Sequence, residues 1–126
     1  MSHTRHIKCF ERDNRLSIEP IKDIAKLLRN DRILGEPTRL LIMILLYLNI
    51  RMKFTDLQKI LGLTAGNLAS HLKKLKESGY VNVRKTFLLE LRTTTIVEIT
   101  KNGARRLLEF MGSLKEILKL VHQETH

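Results

Sequence analysis

A segment in the middle of the chain constrains the fold most, because it contains two amphipathic helices separated by a very short turn. Thr55 is a good N-cap for the first helix, Gln58 completes a capping box, and Gly62 is placed to end the helix. After the turn, Thr64 can cap a second helix, which is predicted over residues 65–78. Apolar residues recur at helical spacing in both helices: Leu57, Ile60 and Leu61 in the first, and Leu68, Leu72 and Leu75 in the second. A short helix, a turn that contains glycine and a longer helix together form the signature of a helix-turn-helix.

A β-hairpin is predicted directly after the second helix. Residues 80–84 and 94–99 alternate between apolar and polar side chains, which predicts a hairpin over residues 81–99. Lys53 and Phe54 form a further short extended piece before the first helix. A hairpin in this position beside a helix-turn-helix is a wing.

Further helices extend this unit at both ends. Pro20 begins a short helix, Pro37 precedes a strongly apolar helix at residues 38–49, and Thr100 caps a last helix that starts near residue 102. The predicted fold class is mainly α with a small β-hairpin, a winged helix-turn-helix with extra N- and C-terminal helices. The predicted parts are a flexible N-terminal arm at 1–19, a winged helix-turn-helix unit at 20–100 and a C-terminal dimerisation helix at 101–126.

Length and cysteine content limit the class of protein. A chain of 126 residues is expected to have one core. Its longest apolar run, residues 40–48, is too short to span a bilayer, and residues 1–19 contain no apolar run of the secretory-signal kind. The single cysteine, Cys9, cannot form an intrachain disulfide, which fits a reducing compartment. We therefore expect a cytoplasmic protein that does not contact a membrane.

The basic residues are concentrated in one part of the chain. The formal net charge is +10 and the isoelectric point is near 10.1. Residues 71–106 contain nine Lys or Arg against three acidic residues, a net +6. A basic excess this local favours a binding face for a polyanion over a general aid to solubility.

The outward face of the second helix has the composition expected of a surface that enters a DNA groove. Its first turn is small, Asn67 can pair with adenine through two hydrogen bonds, and Ser70 and His71 can reach base edges or phosphates. Lysines that follow on the same helix suit the flanking phosphates. Basic residues of the hairpin could contact the backbone or the minor groove. The predicted phosphate and wing contacts are Lys73, Lys76, Arg84, Lys85 and Arg92. The alternative is that this polar face is only solvated.

Residues 55–85 resemble the winged-helix regulators of the MarR and ArsR type. The resemblance extends from about residue 31 to residue 108 and is densest in LGLTAGNLASHLKKLKESGYV. It implies a dimer that binds an operator with one recognition helix in each major groove. The residues that match the exposed recognition positions of the family are Thr64, Gly66, Asn67, Ser70, His71 and Lys74. The wing departs from the family pattern, since residues 87–93, FLLELRT, lack its glycine and proline.

A homodimer is predicted from two apolar helices. Residues on the last helix recur at alternating spacings of three and four, as in a short coiled-coil seam. The helix at 38–49 is apolar nearly all round and needs cover on more than one side. The alternative is that the chain's own terminal helices provide that cover. The predicted interface residues are Leu41, Leu45, Leu107, Met111, Leu114, Leu118 and Val121.

Neither a metal site nor a catalytic site is predicted. Histidines and a cysteine near the chain ends could ligate a metal, but there are no paired cysteines. These residues are His3, His6, Cys9, His122 and His126. The sequence has no HExxH, phosphate-binding glycine loop or GxSxG motif, so we expect no enzyme and no cofactor.

The function expected from the sequence is sequence-specific regulation of transcription on double-stranded DNA, as a homodimeric repressor. Two alternatives remain: a winged-helix subunit of a larger transcription assembly, and a protein that coats DNA without sequence preference. The sequence identifies no small-molecule effector.

Overall fold

The computed structural model describes residues 18–87 and 93–124, and these form five helices and three strands. In chain order they are α1 (Glu19–Asn30), α2 (Pro37–Asn49), β1 (Arg51–Lys53), α3 (Phe54–Leu61), α4 (Ala65–Glu77), β2 (Val81–Phe87), β3 (Thr93–Ile99) and α5 (Lys101–Glu124). The predicted fold class is confirmed, since α3 and α4 form the helix-turn-helix and β2 and β3 form the wing. Within the described residues, no helix is long and apolar enough to cross a membrane.

The sheet has one more strand than the predicted hairpin. Its order is β1-β3-β2, and both pairings are antiparallel. Arg51 lies opposite Glu98, and their side chains form a salt bridge of 3.2 Å. Ile50 joins α2 to β1 with a positive φ of 71°, and its carbonyl accepts a hydrogen bond of 3.0 Å from the amide of Ile99. The tip of the hairpin, residues 88–92, lies outside the described residues.

One hydrophobic core holds all the elements of the helix-turn-helix. Its fully buried members come from the turn before α2, from α2, α3 and α4, and from both strands of the wing: Leu34, Ile42, Met43, Leu46, Leu57, Leu68, Leu75, Val81 and Val97. Each fully buried side chain of this kind contributes roughly 1.5–3 kcal/mol to stability. The predicted inward stripe of α4 is therefore confirmed, and the position of α4 is set by the core.

Local signals set the ends of the two motif helices, with one exception. Thr64 Oγ1 accepts a hydrogen bond of 3.1 Å from the Asn67 amide, which confirms the predicted cap of α4. Gly62 ends α3 in the left-handed conformation, with φ 66°. The predicted cap at Thr55 is wrong, because α3 begins at Phe54 and its N-cap is Lys53, with no side-chain cap. Phe54 packs against the core, and the helix begins two residues earlier than a cap at Thr55 would place it.

Hydrogen bonds connect the start of α5 to the residues that directly follow α4. Thr100 Oγ1 accepts from the Gly103 amide at 2.9 Å, as predicted for a cap, and also donates to the Gly79 carbonyl at 2.7 Å. The Thr100 amide donates to the Tyr80 carbonyl at 3.0 Å. A Cβ at Gly103 would overlap that same carbonyl, so the two segments approach as closely as the backbone allows.

The seam predicted on α5 is divided between two faces. Leu107, only 2% exposed, belongs to the core of its own chain, so its predicted role in a dimer interface is wrong. Leu114 and Val121 are half-buried, whereas Met111 and Leu118 are exposed. The inner stripe of α5 continues along this helix towards residues that face α1. The prediction failed because helical spacing alone cannot tell which of two neighbouring stripes faces the core.

The two predicted interface residues on α2 also differ from each other. Leu45 is half-buried and packs against the core, so it offers little surface to a partner. Leu41 is half exposed and remains available.

Candidate nucleic-acid interface

The first turns of α4 present small and polar side chains on an open surface. Ala65, Gly66, Asn67 and Ser70 are all exposed. Apart from the two chain neighbours of Gly66 and the adjacent backbone of α4, no atom of the described residues lies within 4 Å of the place that a Cβ on Gly66 would occupy. Within the same residues, the side chains of Asn67 and Ser70 make no hydrogen bond. This end of α4 can therefore approach a flat or grooved partner closely, with hydrogen-bonding groups still free.

Exposed lysines follow along the same helix. Lys73, Lys74 and Lys76 are exposed, and none forms a salt bridge with another described residue. The sequence of α4 contains one acidic residue, Glu77. The exposed surface of α4 therefore carries an excess of positive charge, which suits a polyanion.

The lysines lie on two different stripes of α4. Lys74 follows Asn67 and Ser70 at helical spacing, so these three share one stripe. Lys73 and Lys76 instead border a shallow cleft of about 340 Å³ between α4 and the wing, which Phe54, Ala69, Leu72, Val83 and Thr95 also line. The second stripe brings positive charge to the junction of the recognition helix and the wing.

The wing divides its two described basic residues between its faces. Arg84 and Lys85 are both exposed on β2. Successive residues of a strand point to opposite faces, so Lys85 shares the face of Val83, which lines the cleft beside α4. Arg84 therefore lies on the opposite face. The remaining predicted wing contact, Arg92, lies outside the described residues.

His71 does not face outward as the sequence predicted. Its side chain is only 16% exposed, and Nδ1 lies 3.1 Å from Nη1 of Arg39 and 3.9 Å from Oε1 of Glu36. The imidazole is thus turned towards the start of α2. The partner, Arg39, is buried and was missed by the sequence analysis, although it is the single charged residue of α2.

The described residues include no group of three or more His, Cys, Asp or Glu side chains that could hold a metal ion. His3, His6, Cys9 and His126 lie outside them, so the structure does not test their role.

The chain is similar to known proteins over most of its length. The sequence profile of a family described as the winged helix DNA-binding domain matches residues 38–118. An uncharacterized protein from Methanocaldococcus jannaschii is 38% identical over 89 residues, which cover 71% of this chain and 92% of that protein.

Solved structures share the fold. A transcriptional regulator homologue from Pyrococcus horikoshii superposes with a TM-score of 0.70 at 39% identity, covering 82% of this chain and 97% of that one. Overoxidized AbfR bound to DNA superposes with a TM-score of 0.58 at 20% identity, covering 97% of this chain and 89% of AbfR, and so shows the fold alone. From the exposed face of α4, the wing beside it and these matches, we conclude that the chain belongs to the winged helix DNA-binding domain family.

Proposed function

We propose that this protein is a transcription regulator of the MarR and ArsR type that binds a specific sequence of double-stranded DNA as a homodimer and represses transcription. Helix α4 occupies the major groove, and the hairpin of β2 and β3 lies against the neighbouring backbone. The observation that carries the proposal is the outer face of α4, which is small and open at its start and towards its end bears lysines that form no salt bridge with another described residue. The proposed role is binding and not catalysis, as the sequence motifs led us to expect.

The groups on α4 have distinct tasks in this arrangement. Asn67 reads adenine through two hydrogen bonds, and Ser70 contacts a base edge or a phosphate next to it. The absence of a side chain at Gly66 lets the helix approach the groove floor. The Asn67 amide already donates to Thr64 Oγ1. The amides of the first turn that remain free attract a phosphate. Lys74 continues the same stripe towards the backbone.

The proposal of a homodimer is based on the outer stripe of α5, which consists of Leu108, Met111 and Leu118. Leu108 and Leu118 are 52% and 50% exposed, and together with Met111 they line an open apolar groove along this helix. Large apolar side chains gathered on one exposed face are typical of a surface that a partner covers. A two-fold dimer with its copies of α4 one turn of DNA apart would bind a pseudo-palindrome with half-sites roughly 34–36 Å apart.

The test is a titration of genomic DNA fragments, including the region upstream of the protein's own gene, followed by fluorescence anisotropy over a salt series. Each phosphate contact should steepen the log–log salt dependence by about 0.9. We expect one fragment to bind tightly. Substitution Asn67→Ala should weaken that binding by about 10- to 100-fold, with little change in salt slope. Asn30→Ala, which removes an exposed carboxamide on α1 that makes no hydrogen bond with another described residue, is the matched control.

Each other outcome favours a different function. Equal binding to all fragments, unchanged by Asn67→Ala, would indicate a protein that coats DNA. No binding at low salt would contradict the proposal and favour a winged-helix subunit that contacts proteins.

A further inference from the structure

A buried positive charge lies behind the recognition helix. Arg39, in the first turn of α2, is 6% exposed and forms no salt bridge with another described residue. Its Nε donates to the Ile33 carbonyl at 3.0 Å, and its Nη2 donates to the Arg32 carbonyl at 2.9 Å. The remaining contact of the guanidinium, from Nη1, is with Nδ1 of His71 on α4 at 3.1 Å. One buried side chain therefore connects the turn before α2 to the recognition helix.

The chemistry of this contact fixes the state of the imidazole. A guanidinium can only donate hydrogen bonds, so Nδ1 of His71 must accept. Nδ1 therefore carries no proton while this contact is made. Removing the acceptor would leave part of a buried charge without a partner, which is more costly than losing a hydrogen bond at the surface.

The turn whose carbonyls accept hydrogen bonds from Arg39 is stabilised by Asp31. Asp31 Oδ1 accepts from the amides of Ile33 and Leu34 at 3.1 and 2.8 Å. Asp31 Oδ2 forms a salt bridge of 3.0 Å with Nη2 of Arg106 on α5. The carbonyls that bind Arg39 are therefore held in place, and Arg39 has a firm support from which to contact α4.

We infer that Arg39 and His71 are positioning residues that set the orientation of α4 and thereby the discrimination between DNA sequences. The inference rests on the proposed function. His71 follows Asn67 by four positions and Ser70 by one, so a shift of the helix at His71 moves both groups. Hydrogen bonds to a base edge tolerate little displacement, whereas phosphate contacts of flexible lysines tolerate more. Loss of the pair should therefore reduce discrimination and leave the salt slope nearly unchanged.

The test compares two substitutions at one position. His71→Leu removes the acceptor at similar size, and His71→Asn keeps an oxygen acceptor near the place of Nδ1. We expect His71→Leu to lower the ratio of operator affinity to nonspecific affinity by about 10-fold, the size expected for one hydrogen bond. His71→Asn should restore most of that ratio. Arg39→Lys should lower the same ratio. Because Arg39 is buried and cannot contact DNA, that loss would have to act through α4. Thermal unfolding will show whether each variant folds.

The possible failures are distinct. Unchanged discrimination in a folded His71→Leu variant would overturn this inference alone, and so would equal losses in His71→Leu and His71→Asn. ¹⁵N NMR of the free protein at neutral pH gives a readout without DNA, and a proton on Nδ1 of His71 would also overturn the pair. Absence of DNA binding by the unmodified protein would overturn the proposed function, and this inference with it.

Discussion

Helices α4 and α5 bury one face each in the same core but expose opposite chemistries. Outside the core, α4 presents small polar residues and lysines, whereas α5 presents Leu108, Met111 and Leu118. The inner stripes of the two helices are alike and serve only the fold. The outer stripes differ, and in the proposed complex each suits a different partner: a polyanion on α4 and a second apolar surface on α5.

A charge on the outer stripe of α5 should have the largest effect. We expect Leu118→Glu to weaken self-association by about 100-fold or more, because a half-exposed leucine is lost from the interface and a carboxylate would be buried there. Operator binding should weaken with it. Sedimentation velocity over a concentration series measures the dissociation constant of the dimer.

Ser113→Glu introduces the same charge at another exposed position of α5 and should leave self-association unchanged. Equal effects of the two substitutions, or a Leu118→Glu variant that remains dimeric, would show that the outer stripe is not the interface.

Neutralising one lysine of α4 tests the other half of the comparison. Lys74→Gln should reduce the salt slope of DNA binding by about 0.9 for each subunit and weaken binding to all sequences alike. The anisotropy salt series measures both quantities. Lys26→Gln, on the exposed surface of α1, is the control and should leave the slope unchanged. A sequence-dependent effect of Lys74→Gln would instead place this lysine at a base.

Substitutions of two threonines distinguish a residue that caps a helix from one that only matches the capping pattern in the sequence. Thr64→Ala should lower the free energy of unfolding by about 1 kcal/mol, because it removes the acceptor of the Asn67 amide at the start of α4. Thr55→Ala should change it by less than about 0.5 kcal/mol, since the exposed Thr55 lies inside α3 and does not cap it. Urea unfolding measures both, and equal losses would mean that Thr55 also acts as a cap.

The smallest effect concerns an exposed acid on α5. A hydrogen bond from Arg106, aided by Arg105, holds the pKa of Glu109 below its ordinary value. A lowered pKa in the folded state stabilises the fold above the ordinary pKa, and this contribution is lost as the pH falls through the lowered value. Glu109→Gln should therefore be slightly less stable at neutral pH, with a smaller further loss on acidification.

Thermal unfolding at neutral and acidic pH measures this difference. Glu77→Gln, at an exposed carboxylate that forms no salt bridge with another described residue, is the control. If Glu109→Gln lost more stability on acidification than the unmodified protein, the lowered pKa of Glu109 would not stabilise the fold, and the prediction would be wrong.

The features that were predictable from the sequence are those with local causes. Thr64, Thr100 and Gly62 act within a few residues of their own position, so their roles could be read directly from the chain. The features that were missed depend on contacts distant in sequence. The sequence indicated an extended piece at Lys53 and Phe54 but not the pairing of β1 with β3, and His71 turns inward because Arg39, 32 residues earlier, contacts it. A single arginine in an otherwise apolar helix was the available signal for that contact.

The site was predictable to a similar degree. The exposed positions Asn67, Ser70 and Lys74 follow from the stripe that faces the core, since one periodicity determines both faces. That Arg84 and Lys85 lie on opposite faces of the wing follows from their adjacency in a strand, but the structure was needed to show that the face of Lys85 lies beside α4.

The joint at Gly103 also has a use beyond this chain. Because a methyl group there would collide with the Tyr80 carbonyl, the angle between the C-terminal helix and the DNA-facing unit depends on the absence of one carbon atom. In the proposed dimer this angle also affects the spacing of the two copies of α4, so relatives that retain glycine at this position should have similar half-site distances. In relatives with a larger residue at this position, the C-terminal helix has to lie further from the carbonyl that corresponds to Tyr80. Their half-site distances have to be measured separately.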